Sequence, residues 1–164
     1  MFYPYSSWLK QRYGEKVYKL PVNLPVSCPN RCDGHGGCTF CSEKGTGFES
    51  VWQPASVTEQ MQHARDVVAK RYKARKFIAY FQNYTNTFMA MELFKAYLEE
   101  AAAFPDVVEI SVSTRPDCIR TDYLACLAEL QERTHVGINI ELGLQTANYH
   151  TLDRVHRGHG LAEY

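Results

Sequence analysis

"DVVEISVSTRPDCIRTDYLACLAELQERTHVGINIEL", Asp106 to Leu142, decides the fold class of this chain. "DVVEISVS" alternates apolar and polar side chains, the period-two pattern of a half-buried strand. "TDYLACLAELQER" follows at helical spacing, with Thr121 placed to act as its N-cap. "VGINIEL" is again a strand. Two strands joined through a helix by short loops form a βαβ unit, which requires parallel strands and a crossover of fixed hand.

Working outward, the same alternation recurs on both sides. "KFIAYF", Lys76–Phe81, is a short apolar run of the kind a parallel strand shows when both faces are covered. "FMAMELFKAYLEEAAA" beyond it is a helix of strong helix formers. Ser56 to Arg71 reads as a helix whose Ser56 and Glu59 make an S-x-x-E capping box, with Val57, Met61, Ala64 and Val68 on one face. "KVYKLPVNLPV", Lys16–Val26, supplies a first strand that Pro21 and Pro25 restrict to short pieces. "NYHTLDRVHRG" opens a last helix. The expected fold is α/β, a parallel sheet with crossover helices, either doubly wound or a partial (β/α) barrel. Residues 1–20, with Tyr3, Tyr5, Trp8 and Tyr13, are expected to form an N-terminal extension, and residues 21–164 the core. Four strands seldom close a barrel, so the chain is expected to be the front part of a longer one, truncated on its C-terminal side.

In such folds ligands gather at the carboxyl ends of the strands. The chemistry is therefore expected in residues 28–47, 82–87, 113–117 and 143–147, all rich in polar side chains. The first of these, "CPNRCDGHGGCTFCSEKGTG", holds Cys28, Cys32, Cys38 and Cys41, four of the six cysteines. Crowding into one loop is not the dispersed pattern of a disulfide framework, and reduced thiols in a cytoplasmic protein are the expectation. Zinc sites pair two Cys-x2-Cys knuckles, and only Cys38–Cys41 is one. A distant cysteine plus one such pair suits an iron–sulfur cluster. A non-catalytic zinc module using Cys28, Cys32, Cys38 and Cys41 stays open on spacing alone.

Net charge is zero, so no global field draws the chain to nucleic acid or to a membrane surface. No eighteen-residue apolar run and no leader pattern stand in the sequence, and no membrane association is expected. "AKRYKARK", with basic residues from Lys70 to Lys76, is read as a solvated helix end on the side away from the site. His150, His156 and His159 are irregularly spaced and are read as surface histidines.

The cysteine loop resembles that of radical S-adenosylmethionine (SAM) enzymes in the variant with nine residues before a Cys-x-aromatic-Cys pair. "RYGEKVYKL", "AYFQNYTNTF", "STRPDCI", "ELGLQTA" and "RVHRGH" extend the likeness over residues 12–160, in register with the YhcC/YtqA family. The Elongator catalytic subunit and oxygen-independent coproporphyrinogen III oxidase are similar more distantly. The resemblance implies a radical SAM barrel with a [4Fe–4S] cluster on Cys28, Cys38 and Cys41, leaving one iron for SAM. One-electron cleavage of SAM would then give methionine and a 5′-deoxyadenosyl radical. It further implies Phe40 and Ser42 at the adenine, and Gln82, Tyr84 and Thr85 at the methionine amino group. Gln145 falls at the ribose and Arg157 at the carboxylate. Ser113 stands where the Elongator relatives carry Glu, so Ser113 and Arg115 share that place. Cys32 departs from the pattern, because relatives run Pro-Asn-Arg-Asp-Gly there. An electron donor such as flavodoxin or ferredoxin is implied, as is a tRNA substrate, at wobble uridine by kinship with Elongator. The chain alone is expected to bind a cluster but to turn over poorly.

Overall fold

The computed structural model describes residues 2–34, 36–41 and 55–164. Four strands, β1 (Val17–Val22), β2 (Lys76–Phe81), β3 (Val107–Thr114) and β4 (Gly137–Leu142), form one parallel sheet in the order β1-β2-β3-β4. Helices α3 (Val57–Tyr72), α4 (Met91–Ala102) and α5 (Thr121–Thr134) make the three crossovers. Before them come α1 (Tyr5–Tyr13) and the short α2 (Pro29–Cys32), and α6 (Tyr149–Arg154) follows β4. The α/β fold with parallel strands and crossover helices is the one expected. β1 starts at Val17, inside the stretch read as an extension. Pro21 is tolerated because β1 is an edge strand and pairs on one side only.

The two faces of the sheet have opposite chemistry. Leu20, Val22, Phe77, Ala79, Phe81, Ile110 and Val112 point to the helices and form the main core with Val57, Met61, Phe94, Leu98 and Leu127. Their alternates, Lys19, Tyr80, Ser111, Ser113, Asn139 and Glu141, line the other face. Glu141 gathers them: it pairs with Lys19 and accepts from Ser111 Oγ at 2.9 Å and Tyr80 Oη at 3.0 Å. Lys19 Nζ also sits 3.7 Å from the Tyr80 ring centre. On β2 the face toward the crossover helices is wholly apolar, while on the other face Ile78 is buried and Tyr80 joins the polar group. At the amino ends of the strands α1 covers the same face, packing Trp8, Leu9 and Tyr13 on Val17 and Ile78. Tyr13 Oη donates to buried Glu109 at 2.7 Å, with Tyr5 Oη at 3.4 Å.

Helix ends differ from expectation at two places. The capping box of Ser56 and Glu59 forms. Arg120, not Thr121, occupies the N-cap of α5, in extended conformation and without a side-chain cap. α4 begins at Met91 rather than Phe88, because the Phe88 amide closes a turn onto the Thr85 carbonyl at 2.8 Å. No helix among the described residues is long and apolar enough to cross a membrane.

Candidate active site

A cavity of about 320 Å³ opens at the carboxyl ends of the strands, with lining residues from the loops after all four. Cys28, Cys38 and Cys41 line it, together with Phe40, Gln82, Tyr84, Thr85, Ser113, Arg115, Gln145 and Arg157. The described residues singled out in the sequence thus meet at one cavity. Ser42, Gly45 and Gly47 lie outside the described residues. A second cavity of about 780 Å³ lies behind the wall made by Arg115 and Arg157 and holds none of the thiols. The thiols line the smaller one.

The thiol loop is held by backbone as well as by side chains. Pro29 starts α2 at a position where its missing N–H costs nothing, and Cys28 is the N-cap. The Cys41 amide donates to the Cys38 carbonyl at 2.9 Å, the tight turn that a Cys-x2-Cys pair makes. Cys38 is buried, Cys28 and Cys41 are half-buried, and all six cysteines are free. Burial pushes the Cys41 thiol up, and the nearby Cys38 and Cys28 add to the shift. Cys32 is exposed, with Ser27 Oγ at 3.8 Å, and does not line the cavity. Among the described residues no three His, Cys, Asp or Glu side chains draw together as a site for one metal ion. Cys28, Cys38 and Cys41 line the one cavity.

Two guanidiniums reach the sulfurs. Arg115 Nη1 donates to Cys28 Sγ at 3.4 Å, while its Nε and Nη2 grip Asp117 at 2.9 and 2.6 Å. Burial works against the Asp117 carboxylate, but the bonds from Arg115 outweigh it and hold Asp117 below the usual carboxylate range. Arg157, only 6% exposed, donates through Nη1 to Cys38 Sγ at 3.6 Å and through Nη2 to the Gly143 carbonyl. Its Nε is buried without a partner. A Cβ at Gly143 would lie 2.9 Å from both Arg157 Nη2 and Gln145 Nε2, so either side-chain end would have to shift.

Phe40 is 52% exposed beside the thiols, an open aromatic face rather than a core side chain. Tyr84 and Gln145 hold left-handed backbone, φ +55° and +79°. Such strain in non-glycine residues gathers at functional sites. Arg31 lies over the Tyr84 ring at 5.2 Å. Among the histidines, His150 and His156 are exposed, but His159 is buried at 8%.

Sequence reasoning missed three residues that build this site. Glu141 lines the cavity floor: burial alone would raise its pKa, but Lys19 and then Ser111 and Tyr80 hold it low. The "GINIEL" alternation, with Asn139 and Glu141 on one face, carried that signal. Asn86, fully buried, donates through Nδ2 to the Phe81 carbonyl at 2.9 Å and the Ser113 carbonyl at 2.8 Å, tying the ends of β2 and β3. Asn30 ties the thiol loop to the segment after α6. Asn30 and Asn86 stand inside the quoted motifs, but nothing local in the sequence marks the ties they make.

No family model matches the sequence. The chain is similar to YtqA and YhcC. Identity is 40% over 154 residues to the uncharacterized YtqA of Bacillus subtilis, covering 92% of this chain and 47% of that protein. Against YhcC of Escherichia coli it is 39% over 158 residues, covering 95% and 50%. An uncharacterized protein of Methanocaldococcus jannaschii is 30% identical over 164 residues, covering 99% and 50%. The chain thus spans about half the length of the curated relatives it matches. Among solved structures, Elp3 of Methanocaldococcus infernus with an N-terminal deletion matches with a TM-score of 0.57 at 15% identity, over 90% of this chain and 33% of that one. At that identity the likeness is one of fold.

Proposed function

We propose that this chain is a radical SAM enzyme domain in which Cys28, Cys38 and Cys41 hold a [4Fe–4S] cluster. The observation that carries the proposal is that three thiols line one cavity at the strand ends, with Cys32 left outside it. One distant cysteine plus a Cys-x2-Cys pair suits a multi-iron group better than a single zinc ion. Arg115 and Arg157, each with an N–H on a sulfur, offset the negative charge that three thiolates would bring into a half-buried place. Once bound, the cluster and SAM would supply one-electron cleavage of a carbon–sulfur bond.

Every other task falls to the protein. Arg157 lines the cavity and is the guanidinium that would meet the SAM carboxylate. Phe40 offers its open face to the adenine, with Ser42 beside it in sequence. Gln145 serves the ribose hydroxyls from its left-handed position at the cavity rim. Gln82, Tyr84 and Thr85 receive the amino group. Ser113, which stands 3.5 Å from both Tyr80 Oη and Glu141, and Arg115 complete the wall. The reading extends to a flavodoxin or ferredoxin as electron donor, to a reducing cytoplasm that suits free thiols, and to a tRNA base, wobble uridine, as substrate. Support for the last is the motif kinship with the Elongator subunit and the fold likeness to Elp3.

The test is anaerobic reconstitution with iron and sulfide, then reduction in the presence of SAM. The expected product is 5′-deoxyadenosine, at low turnover. A loaded, reducible cluster that yields none contradicts the reading.

A further inference from the structure

Asn30 is 7% exposed within the thiol loop, and its carboxamide nitrogen faces three acceptors. It lies 3.4 Å from Cys38 Sγ, 2.6 Å from the His156 carbonyl and 2.9 Å from the Arg157 carbonyl. An amide carries two hydrogens, so one of them is shared. A second tie runs alongside, from the Thr39 amide to the Val155 carbonyl at 3.0 Å. On the far side Gly158 has φ +76°, and a Cβ there would fall 2.2 Å from Asn30 Oδ1. The chain therefore passes so close to Asn30 that only glycine fits. The segment pinned this way carries Arg157, the other donor to Cys38 Sγ.

We propose that Asn30 is a positioning residue with two linked effects, and the second rests on the cluster reading above. It locks residues 156–158 onto the thiol loop, so that Arg157 stays against both Cys38 and the Gly143 carbonyl. It also donates an N–H toward the Cys38 sulfur and so raises the reduction potential of the cluster that sulfur would bind. The physical cause is charge: reduction adds an electron to the cluster, and N–H dipoles aimed at a ligating sulfur stabilise the more negative state. Losing Asn30 weakens both donors to Cys38 together, one directly and one through the released segment. Arg115 on Cys28 is held by Asp117 and is not affected.

The experiment compares wild type with Asn30→Leu, the milder Asn30→Ala, and Gly158→Ala, whose Cβ would crowd Asn30 Oδ1 at 2.2 Å and also approach Arg115 Nη2 at 3.1 Å. In the thiol form, hydrogen exchange should speed up at the amides of residues 155–158 in all three. After reconstitution, EPR-monitored redox titration should show a more negative midpoint. The expected change is about a fivefold fall in the reduced-to-oxidised ratio at fixed potential, about 40 mV for one electron. Unchanged exchange overturns the lock. Unchanged midpoints in loaded variants overturn the tuning while leaving the function reading intact. A wild type that takes up no cluster overturns that reading and the tuning with it, whereas the exchange result stands by itself. A variant that fails to fold is replaced by Gly158→Ala or Asn30→Ala, on which the same outcomes decide.

Discussion

Asn86→Ala should unfold the chain at markedly lower denaturant, although Asn86 carries no chemistry. Its side chain is fully buried between the ends of β2 and β3, where Nδ2 serves the Phe81 and Ser113 carbonyls. Truncation leaves both acceptors short of this donor, at a place closed to bulk solvent in the native fold. The Ser113 carbonyl keeps a backbone bond from the Asn86 amide at 3.2 Å, so its loss falls at the low end. A buried acceptor left unpaired costs about 1–3 kcal/mol. With one carbonyl near the bottom of that range and one within it, the sum is about 2–4 kcal/mol. For a domain of this size that corresponds to a fall in Tm of about 4–16 °C. Urea unfolding followed by far-UV circular dichroism measures it. The same loops carry Gln82, Tyr84, Thr85 and Ser113, so SAM affinity should fall too. A variant within about 0.5 kcal/mol of wild type would refute the reasoning, since that is the range of ordinary surface substitutions.

Other outcomes follow from the same contacts. Arg157→Ala should weaken SAM binding about tenfold or more while leaving iron and sulfide content intact, as removal of a charged hydrogen-bond donor does; equilibrium binding and iron analysis separate the two. Tyr13, pushed up to about 12 by burial and by its bond to Glu109, should be among the last tyrosines to ionise in an absorbance titration. The sign is that of a raised acid: the stabilisation by Tyr13 is complete below an unfolded pKa of about 10 and lost as pH climbs through the folded value. Tyr13→Phe should remove that alkaline dependence. Glu141 is depressed, so it contributes stability above an unfolded pKa of about 4.3 that disappears as pH falls through the lower folded value. Glu141→Gln should flatten the acid limb of the stability curve.

The parallel sheet was legible because each strand and helix announces itself locally. β2 and β3 fall within one residue of the stretches that periodicity marks, and Ser56 caps α3 through the box its spacing implies. The start of α4 was not, because Phe88 to Ala90 are acceptable helix residues held out of the helix by a turn onto Thr85. The described candidate residues from Cys28 to Arg157 stand in the motifs that carry the family resemblance, and strand topology explains why those separate motifs meet at one cavity. The ties of Asn30 and Asn86 were not legible, since an asparagine has no period and their partners lie on other loops. His159 was misread for a related reason: its burial comes from the fold around the α6 end, not from any pattern near it. Arg157 taken alone would pass for a solvated helix residue, yet it is buried against Cys38.

The central claim is that three of the four loop cysteines hold the metal centre. Iron, sulfide and zinc content, measured side by side in anaerobically reconstituted wild type, Cys32→Ala and Cys28→Ala, tests it most directly. The account predicts four irons and four sulfides, the composition of a [4Fe–4S] cluster, in wild type and in Cys32→Ala, and their loss in Cys28→Ala. Stoichiometric zinc in the purified protein, abolished by Cys32→Ala, would contradict it.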